Sequence, residues 1–197
     1  MFRVGITGNM GSGKSLVCSI FKSLDIPIFE ADQQTKLLYT ENDIRLKIQK
    51  QFGKSIYLPD GELNKTKLAQ LIFNDPFAMQ FIRELMYPRL HERFEEWATG
   101  QQNRRCPYVL YEAALIFENG FQSHFDFTIL ITAPEALRVE RIKERDKLAD
   151  SEIRQRMDHQ WPETKKLELA DFVIRNDGKT MLIPQVLEIH RKLLVNS

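Results

Sequence analysis

Short apolar runs recur along the chain, separated by longer amphipathic stretches. They are Phe2–Ile6, Ile26–Phe29, Tyr108–Tyr111, Phe127–Thr132 and Phe172–Arg175, most of them rich in Val, Ile or Phe. Continuous rather than alternating apolar character suits strands covered on both faces, as in a parallel sheet. Helical patterns lie between the runs. The alternation predicts an α/β sandwich with a five-stranded, largely parallel sheet and right-handed crossovers.

The spacing of the runs is uneven. A long stretch separates the second run from the third, and it reads as almost wholly helical. Pro59-Asp60-Gly61 predicts a turn, and Asn64 is placed to cap a helix through Phe73. Asn74-Asp75-Pro76 starts another helix, with proline in its favoured first turn. Tyr87-Pro88 predicts a break, after which Pro88–Ala98 resumes with Leu90, Phe94 and Trp97 at helical spacing. This stretch reads as a helical insertion on the sheet rather than a separate domain. Lys143–Lys166 carries many charges and little apolar surface, which marks a candidate mobile flap. There is no internal repeat and no low-complexity segment.

Composition narrows the class. The 197 residues suit one domain of ordinary size, and 43% hydrophobic residues are enough for a sizeable core. Lys and Arg total 28 against 27 Asp and Glu, a net charge of +1. That balance argues against a general polyanion binder, so any phosphate site must come from local clustering of basic residues. No apolar run approaches the ~18–20 residues of a membrane span. Met1–Thr7 reads as a buried strand and lacks the pattern of a signal peptide. Cys18 and Cys106 form no CxxC pair, so two plain thiols in a reducing cytoplasm are expected.

Gly8-Asn9-Met10-Gly11-Ser12-Gly13-Lys14-Ser15 matches GxxxxGK[ST] at every fixed position. It follows an apolar strand and opens a helix, Lys14–Leu24, which is the context the motif requires. Glycines let the backbone turn tightly and bring successive N–H groups toward one point. The helix adds its positive N-terminal end. Lys14 reaches the outer phosphates, the Ser15 hydroxyl can ligate Mg²⁺, and Leu16 is expected to offer its backbone N–H near the α-phosphate. The motif implies nucleotide phosphate binding and leaves kinase, GTPase and motor open.

A GTPase would read guanine with Asn-Lys-x-Asp after a late strand. Arg175-Asn176-Asp177-Gly178 does not match. A motor ATPase would end an apolar run in adjacent acids, whereas Leu110-Tyr111-Glu112-Ala113 has one. Glu112 is a candidate for the Mg²⁺ shell or for phosphate-site architecture; the alternative is a helix- or strand-end carboxylate in a surface salt bridge. A small-molecule kinase must hold an acceptor hydroxyl and exclude water. Asp32 follows the second run, at the carboxyl end of a strand, where ligands gather in parallel sheets. It can take the acceptor's proton or orient Mg²⁺-bound water, or it can cap the helix starting near Gln33. Thr132-Ala133-Pro134-Glu135 predicts a capping box opening a helix that presents Arg138, Arg141 and Arg145. Guanidinium groups match the spread charge of a transferring phosphoryl group, and a solvated charged face with Glu140 and Glu144 is the alternative. Arg156, Gln160, Lys165 and Lys166 extend the basic character. His91, His124, His159 and His190 have no metal-ligand spacing and are expected at surface or helix-end positions.

These residues, in this order and spacing, resemble the dephospho-coenzyme A kinase family over nearly the whole chain. The resemblance is carried by Gly5 through Ser15, Pro27–Asp32, Phe52-Gly53, Asp60–Leu63, Leu68 and Ile72-Phe73. It continues through Leu115-Ile116-Phe117-Glu118, the pairs Arg141 with Arg145 and Arg156 with Gln160, Lys166, and Ala170–Ile174 with Asn176–Gly178. Asn9-Met10, Leu16, Tyr87, Glu112 and Ala114 depart from the usual pattern.

The resemblance implies a three-layer P-loop kinase fold in a single domain. Its nucleotide-binding core would span about 1–35, 106–137 and 167–197, with a helical acceptor-binding insertion at about 36–105 and a lid at about 138–166. It implies ATP-dependent phosphorylation of the ribose 3′-hydroxyl of dephospho-coenzyme A, giving coenzyme A and ADP in the last step of coenzyme A synthesis. Asp32 would be the general base, with Lys14 and Arg141 stabilising the transferring group. Gly8, Gly11, Ser12, Gly13, Lys14, Ser15, Leu16, Arg141, Asn176 and Gly178 would bind ATP. Thr7, Asp32, Tyr87, Glu112 and Leu115 would meet the acceptor. Mg²⁺ would sit on Ser15, with Asp32 or Glu112 acting through water. The expected partners are ATP and dephospho-coenzyme A, with neither nucleic acid nor membrane. A kinase of another nucleotide or nucleoside, and a slowly hydrolysing nucleotide-gated binding protein, are the alternatives.

Overall fold

The structure, a computed structural model, describes residues 1–102, 106–147 and 149–195. The chain divides into two compact units, one of Met1–Glu30 with Ala98–Ser197 and one of Ala31–Trp97. The end of the insertion expected near residue 105 lies outside the described residues.

The first unit is built on a five-stranded parallel sheet. Its strands are β1 (Phe2–Gly8), β2 (Ile28–Glu30), β3 (Tyr108–Glu112), β4 (Phe127–Thr132) and β5 (Phe172–Arg175), in the order β2-β3-β1-β4-β5. β1 is central, pairing Val4 with both Leu110 and Phe127. The strand order therefore reverses at β1, and a parallel sheet opens its ligand crevice at the carboxyl ends of the strands flanking such a point. Helices α1 (Lys14–Lys22) and α9 (Leu182–Val195) cover one face. There Val17 and Phe21 of α1, with Val186, Ile189 and Leu193 of α9, bury against Val4, Ile6, Leu110, Ile129, Ile131 and Ile174. On the other face Phe125 and Ile116 fill the space over Gly5, where any Cβ would lie 2.6 Å from the Phe125 ring. Tyr111 stacks on Phe29.

The expected strands appear with small shifts. β2 starts two residues late because Ile26 N–H turns back to Phe21 O, after Asp25 at φ 58°. The capping box expected at Thr132–Glu135 does not form. Thr132 is instead the last residue of β4, paired with Arg175, and the helix α6 (Glu135–Asp146) starts after Pro134 with no side-chain cap. Beyond α6 the charged stretch folds as α7 (Asp150–Met157) and α8 (Glu163–Leu167), each anchored by one fully buried side chain, Ile153 and Lys166.

The second unit is helical: α2 (Ala31–Leu38), α3 (Asn42–Phe52), α4 (Lys65–Asn74) and most of α5 (Pro76–Gln102). Asn64 caps α4 by accepting the Lys67 N–H at 3.0 Å, as its position predicts. The break expected at Pro88 does not occur, for α5 runs through it. An interior proline costs about 3 kcal/mol. Ala78, Ile82, Met86, Leu90 and Phe94 recur every four residues and are all buried. At ~1.5–3 kcal/mol for each large side chain, that stripe outweighs the lost hydrogen bond.

Candidate functional site

Residues 8–15 run from the last residue of β1 through a loop at 9–13 into the first turn of α1, as the motif requires. Gly11 and Gly13 have φ of +81° and +87°, a region that L-residues avoid. Space excludes a side chain as well: a Cβ on Gly11 would lie 2.6 Å from Arg138 O, and one on Gly13 would lie 2.1 Å from Asn176 Nδ2.

A cavity of about 540 Å³ opens over this loop, lined by residues 8–15 together with Ala114, Leu115, Arg141, Arg145, Arg156, His159 and Gln160. Four cationic side chains, Lys14, Arg141, Arg145 and Arg156, thus meet the loop's N–H groups and the positive end of α1. The cavity suits a polyphosphate by charge and by donor density.

Arg141 binds two parts of the site. Its guanidinium donates to Gly11 O at 3.3 Å, and to Asn176 O and Oδ1, each at 3.2 Å. Asn176 is buried, and its Nδ2 donates to Ser12 O at 2.7 Å. Asn176, expected among the ATP-binding residues, is thus seen to brace the phosphate loop. Gly178, on the turn that follows, has φ +78°. Arg138 is buried, and its Nε donates to Ala133 O at 3.2 Å, so it steadies the start of α6. The solvated-face alternative therefore fails for Arg138.

Lys14 forms an ion pair with Glu112 at the end of β3. The pair is not the surface salt bridge of the alternative: both side chains are 15% exposed, and the partner is the lysine of the phosphate loop. Glu30 is register-paired with Glu112 on β2 and is held by Lys22 at 2.5 Å. Ser15, Cys18, Ser19, Lys22, Glu30 and Glu112 surround a smaller cavity of about 130 Å³. The oxygen donors of Ser15 and Glu112 are of the hard type that Mg²⁺ takes. Among the described residues no three His, Cys, Asp or Glu groups converge as a metal centre. Burial pushes the Cys18 thiol up to about 12, so it stays protonated.

Thr7 is buried with its hydroxyl donating to Ala114 O at 3.2 Å. Leu115 is partly exposed at the cavity. The Leu16 N–H donates to Gly13 O at 3.0 Å, and the Leu16 side chain is 54% exposed. In the second unit, Asp32 is exposed within the first turn of α2, which excludes the N-cap reading, and Tyr87 is half-buried in α5. His159 joins the phosphate cavity, whereas His190 packs inward, its Nδ1 2.7 Å from the Tyr108 hydroxyl.

Besides the Arg141 bond to Gly11 O, further side-chain links to the loop escaped sequence reasoning. Gln160 Oε1 accepts the Met10 N–H at 2.7 Å, Asn9 Nδ2 donates to Trp161 O at 3.3 Å, and Asn176 holds Ser12. Each joins residues more than a hundred positions apart, and no local pattern announces such pairs.

A five-stranded parallel sheet with a glycine loop at its central strand, a basic cavity above it and arginines from the helix after β4 defines a P-loop kinase. Solved structures share the fold. One protein from Thermus thermophilus aligns with TM-score 0.85 at 28% identity, covering 98% of this chain and 97% of that one. The dephospho-CoA kinase from Campylobacter jejuni aligns at 0.70 and 23% identity, covering 98% of each. The family model for dephospho-CoA kinase matches residues 2–181. Proteins named dephospho-CoA kinase from Bacteroides fragilis and Salinibacter ruber are each 34% identical, covering 95% and 90% of this chain and 90% of each relative. The chain belongs to the dephospho-CoA kinase family.

Proposed function

We propose that the chain transfers the γ-phosphoryl group of ATP to the ribose 3′-hydroxyl of dephospho-coenzyme A, the final step of coenzyme A synthesis, as a cytoplasmic enzyme. The observation that carries this reading is the basic cavity over residues 8–15 in a chain of this family.

The loop N–H groups and Lys14 hold the phosphates, and Lys14 exchanges Glu112 for the nucleotide as it does so. Arg141, with Arg145 and Arg156 beside it, neutralises charge on the transferring group. Ser15 and Glu112 are the groups that would hold Mg²⁺, which supplies charge neutralisation when bound. Asp32 is the proposed base that takes the proton of the acceptor hydroxyl. The helical insertion, with Tyr87, would bind the acceptor together with Thr7 and Leu115. Catalysis by positioning and charge then supplies the rate, since phosphoryl transfer leaves little covalent chemistry to the protein.

The test is ADP release from Mg·ATP with dephospho-coenzyme A, beside adenosine, AMP and a no-acceptor control. The expected result is acceptor-dependent ADP and a product phosphorylated at the 3′ position. Equal slow release in every tube would overturn the kinase reading. Asp32→Asn is expected to lower turnover strongly while ATP affinity stays near that of the unaltered chain. A collapse of ATP affinity with turnover preserved at saturation would remove Asp32 from its role.

A further inference from the structure

Lys166 and Glu118 form an ion pair outside the lining of the cavity over the phosphate loop. Lys166 of α8 is 0% exposed, and its Nζ stands 2.5 Å from Oε1 of Glu118, which is 8% exposed. Burial pulls the Lys166 ammonium below the ordinary lysine range, and Glu118 only partly opposes it. A buried pair of this kind is a weak source of stability, because apolar residues of similar volume often serve as well. Its connections give it another role.

The same Glu118 oxygen accepts the Trp161 N–H at 3.0 Å. Trp161 O in turn accepts from Asn9 Nδ2 at 3.3 Å. One residue earlier, Gln160 Oε1 accepts the Met10 N–H at 2.7 Å. Asn9 and Met10 are the two residues that follow Gly8 in the phosphate loop. Asn9 is buried, and its Oδ1 has no hydrogen-bond partner among the described residues, so the bond through Nδ2 sets its orientation. Lys166 pairs with Glu118, Glu118 holds the Trp161 backbone, and Trp161 with its neighbour Gln160 holds Asn9 and Met10 at the entry of the loop.

We propose that Glu118, through the acceptor oxygen it offers the Trp161 N–H, is a positioning residue for the phosphate loop, holding Asn9 and Met10 so that the loop's N–H groups are aimed before a nucleotide arrives. The proposal rests on the reading of residues 8–15 as the ATP site. Preorganisation of this kind raises affinity by removing the ordering cost from the binding step.

Two double variants separate positioning from plain structural support. E118Q/K166M removes both charges and keeps a carbonyl oxygen for the Trp161 N–H. E118L/K166M removes the charges and the acceptor together. Binding of Mg·ATP without acceptor is measured by calorimetry on the full chain, with melting followed in the absence of nucleotide. Both variants are expected to melt near the unaltered chain. E118L/K166M is expected to bind Mg·ATP at least tenfold more weakly, and E118Q/K166M to recover to within about threefold. Equal affinities in the two variants, whether both retained or both lost, would overturn the proposal. If E118L/K166M does not fold, Asn9→Ala keeps the ion pair whole and cuts the last link. It should show the same tenfold loss, and undiminished binding by it would overturn the proposal. An unaltered chain that binds no Mg·ATP would remove the ATP-site reading and the proposal with it.

Discussion

Gly13→Ala tests whether the phosphate loop is held by its neighbours as tightly as the structure indicates. Gly13 sits at φ +87°, ψ 27°, and a Cβ there would stand 2.1 Å from Asn176 Nδ2. A left-handed backbone costs an L-residue roughly 1–2 kcal/mol. The overlap must also be relieved, and the atom that must move is the one donating to Ser12 O at 2.7 Å. Displacing it leaves a buried acceptor unpaired, at ~1–3 kcal/mol. Together these give a central value of about 3.5 kcal/mol, which for a chain of this size lowers Tm by ~7–14 °C. Nucleotide affinity should fall as well, because the loop N–H groups lose their common aim. The assay is thermal melting with and without Mg·ATP, on Gly13→Ala, Asn176→Ala and the double variant. Removing the Asn176 amide removes the overlap, so the double variant should cost less than the two single costs added, by ~1 kcal/mol or more. A Gly13→Ala protein melting within about 2 °C of the unaltered chain, or a strictly additive double variant, would refute this account of the loop.

Three further perturbations bear on other parts of the fold. Arg141→Lys replaces a planar fork that reaches Gly11 O, Asn176 O and Asn176 Oδ1 with a single ammonium. Steady-state kinetics should show kcat falling ~10³-fold, and a loss confined to KM would assign Arg141 to nucleotide holding alone. Asp171 Oδ2 accepts from Thr128 N at 2.7 Å and Thr128 Oγ1 at 2.8 Å, fastening the start of β5 beside β4. Asp171→Ala should cost about 2 kcal/mol in chemical denaturation, and no change would mean that the register is held elsewhere. Burial holds His190 below the ordinary histidine range, with Nδ1 against the Tyr108 hydroxyl. Its stability contribution is therefore full above the unfolded value near 6.5 and is lost as pH falls through that value toward the folded one, because the unfolded chain takes the proton first. Melting across pH 5 to 7.5 should show this slope, and His190→Gln should flatten it.

What the sequence made legible was local. Five apolar runs announced five strands because a strand buried on both faces needs no partner's identity to read as apolar. The phosphate loop was legible because φ beyond zero at Gly11 and Gly13 demands glycine, and glycine is visible as a letter. Pro88 shows the limit of local signals. Its rule is real, yet a stripe from Ala78 to Phe94 overrode it, and the strength of that stripe depends on what the helix packs against. His190 was expected at a surface or helix-end position because nothing near it in sequence predicts the Tyr108 hydroxyl, 82 positions away.

The same division runs through the site itself. Local residues supply the loop's shape, and distant ones supply its position. Gly11 and Gly13 permit a curve that brings N–H groups toward one point, but a permitted curve is one of many that a glycine chain can take. Arg141 on Gly11 O, Asn176 on Ser12 O, Gln160 on the Met10 N–H and Trp161 O on the Asn9 amide each remove part of that freedom. These contacts come from α6, from the segment between α7 and α8, and from the turn after β5. The motif is therefore readable from eight residues, while the affinity it delivers depends on groups contributed by the rest of the first unit. Substitutions at Gln160, Asn176 or Glu118 should accordingly weaken nucleotide binding while every letter of GxxxxGK[ST] stays in place.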